Sequence, residues 1–205
     1  MVGHRPLKAS IGVRIPAPQP IYKLKYDMAK KRIKVGKYKT VFRGITFEIK
    51  RARAISPSGK IKILEQATRP PLVTILALDE KGRLLLNLEY RLKYKKYLWR
   101  LPAGRVDKEE DPLKAAQREL REETGFRAKK IKLFHTSESG QSLNWEKYAY
   151  LATGLTPDPL EGDEDEDIKV VPTSIDKAFK MAIGGEIKNE EMAYLVIRLY
   201  YSKKI

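Results

Sequence analysis

The 205-residue chain has no cysteine, which excludes disulfides and thiolate zinc sites. Histidine is nearly missing as well. With only His4 and His135, a histidine-based metal site is not expected. No stretch approaches the roughly 18 apolar residues that a membrane helix needs. The opening MVGHRPLKAS lacks the apolar core of a secretory signal. These absences predict a cytoplasmic protein without membrane association. Acidic residues are scarce in the first third: residues 1–70 hold 18 Lys or Arg against Asp27, Glu48 and Glu65, whereas residues 71–205 are almost balanced. That asymmetry accounts for nearly all of the formal net charge of +16. Such a segment reads either as a contact for nucleic acid, an anionic surface or an acidic partner, or as a solubilising Lys-rich surface. The charged fraction of 33% and the lack of cysteine lean toward the second reading. The length suits one ample core, or a core with a small appendage.

What the chain does contain is concentrated between Gly104 and Phe126, GRVDKEEDPLKAAQRELREETGF. Local rules predict a helix from Asp111. Aspartate caps a helix N-terminus well, and Pro112 suits the first helical position, where a missing N–H costs nothing. Leu113, Ala116 and Leu120 recur at helical spacing as an apolar face. Gly125, in the left-handed position with Phe126 folding back, is the expected stop. The polar side is unusual. Glu119 and Glu123 are four apart, with Glu122 beside them, so three like charges crowd one face. A divalent cation reverses the sign of that repulsion, and oxygen-only ligands suit Mg²⁺ or Mn²⁺. Glu110 and Arg118 supply an ion pair that pins the preceding loop to the helix. The plainer reading is a solvated helix with Arg118 and Glu122 paired at i,i+4.

Taken together, Gly104, Glu110, Arg118, Glu119, Leu120, Glu122, Glu123, Gly125 and Phe126 resemble a complete Nudix box. The resemblance reaches further, from about Tyr38 to the C-terminus, and is closest to ADP-ribose pyrophosphatases. It is carried by ILEQATRPPLVTILALDEKGRLLL, Glu89-Tyr90-Arg91, LPAG at 101–104, the 163–171 region and GGEIKNEEMAYLVIRL. It implies an α/β fold, a Nudix-type α/β/α sandwich with a mixed sheet, preceded by a small N-terminal antiparallel β domain used for homodimerisation. The expected division is 1–67 for the basic extension and β-hairpin domain and 68–205 for the Nudix hydrolase domain.

The resemblance also assigns roles. Glu119 and Glu123 are the main carboxylate ligands of Mg²⁺ (or Mn²⁺), Glu122 joins them, and the Ala103 carbonyl completes the set. Gly104 keeps its loop close to the metal; Gly104, Glu110, Arg118 and Gly125 are structural. Glu164 is the candidate general base, with Glu122 also placed among the catalytic groups, and Glu166 is an additional ligand. Such ions neutralise the oxygens that shield phosphorus and activate water. Arg69 and Arg91, at the edges of predicted strands, are candidates for gripping substrate phosphates, or else structural ion pairs. Tyr22, Tyr26 or Phe47 are candidates for stacking on a base. The expected substrate is a nucleoside diphosphate derivative, best matched by ADP-ribose. Other nucleotides or RNA 5′ ends are the alternative, with the basic segment as a guide; a non-catalytic nucleotide- or RNA-binding module is a third reading. Two departures bear on the substrate: Arg100 stands where these enzymes usually carry Glu, and HTSESGQSLN lacks their usual Ser-Pro-Gly type of turn.

Elsewhere, residues 1–20 read as extended or poorly ordered and 21–38 as a basic hairpin. VFRGITFEIKRARAI and KIKILEQA alternate as two strands around the SPSG turn. Leu72–Leu78 is a central strand, joined through a turn at 79–82 to a partner at 83–88. Strands at 131–134, 146–153 and 168–171 follow, then helices at 174–184 and 189–202, the last with Met192, Leu195, Val196 and Leu199 as its stripe.

Overall fold

The computed structural model describes residues 32–140, 142–161 and 167–202. Tyr22, Tyr26, the 21–31 part of the expected basic hairpin, Glu164 and Glu166 lie outside that range.

The chain begins with a sheet built from β1 (Lys34–Val35), β2 (Lys39–Arg43), β3 (Glu48–Ile55) and β4 (Ile61–Thr68). β3 pairs antiparallel with β4 along its whole length, from Glu48↔Thr68 to Ile55↔Ile61. β2 and β1 share the other edge of β3. The stretch 41–55, expected as one strand, is therefore two. The chain reverses between them, with Gly44 N–H donating to the Phe47 carbonyl at 2.9 Å.

The remainder forms two sheets between helices. β5 (Leu72–Ala77), β8 (Ala103–Arg105), β9 (Phe126–Glu138) and β11 (Glu146–Pro157) make one, in the order β8-β5-β11-β9. It is mixed: β5 and β11 run parallel and the other pairings are antiparallel. β6 (Leu84–Arg91), β7 (Lys96–Arg100) and β12 (Ile168–Thr173) make the second, with β6 central. The expected partnership of 72–78 with 83–88 is thereby corrected. The turn exists, with Arg83 N–H donating to Asp79, but the strands diverge after a single bridge, Leu78↔Leu84.

Alternation along the strands sends side chains to two cores. Val73, Ile75, Ala77 and Leu85 pack with Ala115, Ala116 and Leu120 of α1 (Pro112–Thr124). Leu76, Leu78, Leu84 and Leu86 pack with Met181 of α2 (Ile175–Ile183) and with Met192, Leu195, Val196 and Leu199 of α3 (Glu190–Ser202). Helices thus cover both faces, as the alternation of elements predicts. α1 begins and ends as expected: the Asp111 carboxylate accepts from Leu113 N–H at 2.9 Å, and Gly125 adopts φ +76°. Its buried stripe is Ala115, Ala116, Glu119, Leu120 and Thr124. Leu113, expected on that face, stands 41% exposed in the first turn.

The two parts of the chain are joined by β10 (Leu143–Asn144), which pairs parallel with the end of β4 through Leu143↔Ala67 and Asn144↔Thr68. This short strand lies inside the loop between β9 and β11, so the N-terminal sheet borrows its last strand from the body of the molecule. Among the described residues no helix is long and apolar enough to cross a membrane.

Candidate active site

β8 is an edge strand, and its middle residue decides how α1 reaches the cleft. A Cβ built on Gly104 would lie 2.0 Å from the Glu119 carboxylate. Any other residue here would displace that side chain or the strand. Glu119 is only 9% exposed, a cost of burial that needs partners on the carboxylate.

Arg118 is the main partner. Its Nε and Nη2 grip both oxygens of Glu110 at 3.1 and 3.0 Å, a bidentate pair across the loop. Its Nη2 also donates to the Arg105 carbonyl at 2.9 Å, and its Nη1 donates to Glu119 at 2.8 Å and Glu122 at 2.9 Å. The i,i+4 pair and the loop-pinning pair read from the sequence are therefore both present, on one guanidinium. The bonds to Glu110 raise the Arg118 pKa above its ordinary value, with the Glu119 charge adding to them, against the effect of burial. The same bonds hold the Glu110 carboxyl below its usual range, again against burial and helped by the Asp107 N–H. Glu123 turns elsewhere. One of its oxygens accepts from the Asn87 amide at 2.7 Å and from the Ala103 N–H at 3.1 Å. Asn87 is fully buried, and its side-chain amide oxygen has no hydrogen-bond partner among the described residues.

Glu119, Glu122, Glu123, Ala103 and Gly104 line one side of a cleft of about 1090 Å³. Its floor is the sheet face carrying Leu72, Thr74, Ala103 and Arg105; Arg91, Leu98 and Arg100 form a second wall, Trp145 and Lys147 a third. The two phosphate candidates differ. The Arg69 guanidinium carbon lies 3.9 Å from the Trp145 ring centroid and 5.3 Å from that of Phe47, and the Arg69 Nε is buried without a hydrogen-bond partner among the described residues. Burial, and then the charge of Arg105, lower its pKa. Arg91 instead donates to Glu89, and the other Glu89 oxygen meets Arg100 Nε at 2.6 Å. One carboxylate, 7% exposed, thus compensates two arginines. Arg100 is bound to this partnership rather than left as a stray charge. Sequence reasoning missed it, and its only local signal was the Glu89-Tyr90-Arg91 triplet. It also missed Asn87 as the support of Glu123, and Trp145 as the platform for Arg69. Of the three aromatic candidates, Phe47 reaches the cleft region only as the second ring beside Arg69.

The donors suit a hard divalent cation: they are oxygens alone, and two of them converge on one Arg118 nitrogen beside a cradle that a Cβ would fill. Among the described residues, no three acidic or histidine side chains already stand together as a cation cage.

Residues 68–191 match the NUDIX domain. The chain belongs to the NUDIX family, whose hydrolases generally depend on a divalent metal ion. Within that family it is 29% identical over 143 residues to the ADP-ribose pyrophosphatase of Bacillus subtilis (strain 168), covering 68% of this chain and 77% of the relative. It is 32% identical over 154 residues to the ADP-ribose pyrophosphatase of Mycobacterium tuberculosis (strain ATCC 25618 / H37Rv), covering 73% and 74%. Among solved structures, one described as an ADP compounds hydrolase superposes with a TM-score of 0.71 at 23% identity, covering 85% of this chain and 96% of that one, and so shares its fold.

Proposed function

We propose that the protein hydrolyses the diphosphate of a nucleoside diphosphate derivative, ADP-ribose being the best match, to AMP and ribose 5-phosphate. The observation that carries this reading is the Gly104 window, which lets the Glu119 carboxylate pass an edge strand into an arginine-walled cleft. The relatives' activity adds to it.

Glu119, Glu122 and Glu123, with the Ala103 carbonyl and Glu166, would hold the ion, Mg²⁺ or Mn²⁺. When bound, it supplies charge neutralisation at the phosphate oxygens and a more acidic water. The chain's own residues do the rest. Arg118 fixes the orientation of Glu119 and Glu122, while Asn87 and the Ala103 N–H fix Glu123. Arg69 and Arg91 bind phosphate. Glu164 takes the proton of the attacking water as its oxygen bonds to phosphorus, and the opposite P–O bond breaks toward the departing phosphate. Glu161, three residues earlier, lines the cleft.

The reading extends to assembly and location. Residues 1–67 form a dimerisation domain of a cytoplasmic homodimer and 68–205 the hydrolase domain. The exposed cations Lys39, Arg43, Arg51, Arg53 and Lys62 favour a second reading, in which the basic sheet guides an RNA 5′ end to the cleft.

Product analysis by chromatography tests both. The protein is incubated with Mg²⁺ and, in parallel, ADP-ribose, NADH, a diadenosine polyphosphate, nucleoside triphosphates and a short 5′-triphosphate RNA. AMP and ribose 5-phosphate formed from ADP-ribose well ahead of the rest is the expected result. Preference for triphosphates or RNA overturns it and favours the second reading, and binding without any turnover leaves a nucleotide-binding module.

A further inference from the structure

The cations around the cleft are not equivalent. Arg118 is bonded to three carboxylates, Lys147 is paired with Glu191 at 2.6 Å, and Arg91 and Arg100 share Glu89. Arg69 and Arg105 have no carboxylate partner among the described residues, and they are neighbours. The β5–β8 register sets Arg105 opposite Leu72, and Val106 N–H donates to the Pro71 carbonyl at 3.0 Å, so Arg105 lies against the segment that begins at Arg69. Leu72, Ala103 and Arg105 point to one face of the sheet, the cleft floor, while Gly104 points to α1. The structure therefore holds two guanidiniums of like charge together, one stacked on Trp145 with a buried, unbonded Nε, and no carboxylate among the described residues offsets them.

We propose that Arg105 is a substrate-binding residue, which with Arg69 forms a two-guanidinium clamp for phosphate oxygens on the cleft floor. The proposal rests on the diphosphate reading above and adds a residue to it. An anion seated between the two arginines turns their repulsion into attraction and supplies the acceptor that Arg69 lacks. Guanidinium forks suit tetrahedral oxyanions because two N–H groups meet two oxygens at once. Arg105 directly follows Gly104, so a phosphate held here lies beside the Glu119 carboxylate. One diphosphate then spans clamp and carboxylates.

The test uses inorganic pyrophosphate as probe, on the full chain with chelator present, read by calorimetry and by tryptophan fluorescence, to which Trp145 beneath Arg69 contributes. Arg105→Gln is expected to weaken pyrophosphate binding about tenfold, and Arg105→Lys, which keeps the charge but not the fork, by a smaller factor. Lys130→Gln, an exposed cation on β9 away from the cleft, is expected to change nothing. Equal affinity of wild type and Arg105→Gln overturns the clamp. So does an equal loss in Lys130→Gln, which would reduce the effect to net charge, and so does a wild type that fails to bind pyrophosphate. ADP-ribose kinetics are scored separately: Arg105→Gln should raise KM with little change in kcat. A wild type that binds pyrophosphate through Arg105 yet leaves ADP-ribose intact would remove that substrate and keep the clamp.

Discussion

The N-terminal sheet and the body that follows it solve the problem of apolar surface in opposite ways. From Val73 onward, β5 and β6 alternate into two helix-covered cores, and Ile75, Leu76, Leu84, Leu86, Leu120 and Val196 are fully sealed. Among the described residues of β1–β4, the buried apolar side chains are Ala52 and Ala54. Val35, Val41, Phe42, Ile55, Ile61 and Ile63 remain about half exposed or more, and Ile45 in the turn is fully exposed. Among the described residues no helix covers this sheet, and a two-layer unit needs a second layer. The difference teaches that the body is closed by its own helices, whereas the described residues leave apolar side chains of the first sheet uncovered, the surface that the proposed homodimer would bury.

The sharpest separation of the two regions is chemical. Glu119→Gln should reduce turnover on the order of 10³-fold while circular dichroism and oligomeric state stay unchanged, because the carboxylate serves the cleft and not the core. A variant that also changes oligomeric state would join the regions that the comparison keeps apart. Next in size, Leu85→Ala should destabilise the fold by about 2–5 kcal/mol in urea titration, since the site is sealed and leaves a cavity. Gly104→Ala should lower kcat roughly 100-fold through a displaced Glu119, with a smaller change in urea midpoint than Leu85→Ala. Glu110→Gln removes a pH-dependent term. The folded-state pKa of Glu110 lies below its unfolded value, so its stabilisation is present above the unfolded carboxylate pKa and is lost as pH falls through the folded one. The wild type should therefore lead the variant in urea midpoint at pH 7, and the lead should shrink on acidification below about pH 4. Smallest for the fold, Ile63→Asp should shift unfolding by no more than about 0.5 kcal/mol in the monomer. The same variant should move the molecular mass from dimer to monomer in light scattering. An unchanged mass there would remove the proposed assembly surface.

The box helix was legible because its information is local. Cap, first-turn proline, stripe and left-handed glycine each act within a few residues, and the structure repeats them from Asp111 to Gly125. The Arg118 pairs with Glu110 and Glu122 were legible for the same reason. What escaped was non-local. The Asn87–Glu123 bond spans 36 residues, and nothing beside Asn87 in sequence marks it as a support. The charge at Arg100 looked like a loss from the family pattern until β6 and β7 paired and brought it to Glu89. The 79–82 turn is a sound hairpin signal, yet whether its strands stay together depends on what each later pairs with. The roles of Glu164 and Glu166 stand on the family pattern alone.

The two-residue strand β10 also sets an order of events during synthesis. Its partner on β4 leaves the ribosome roughly 75 residues earlier, so at ordinary elongation rates the N-terminal strands wait on the order of ten seconds for their last neighbour. Throughout that interval an unpaired edge and an apolar face are exposed together, the combination that invites misassociation between nascent chains. The lysines and arginines spread over those strands then act as gatekeepers, holding neighbouring chains apart until the body has folded.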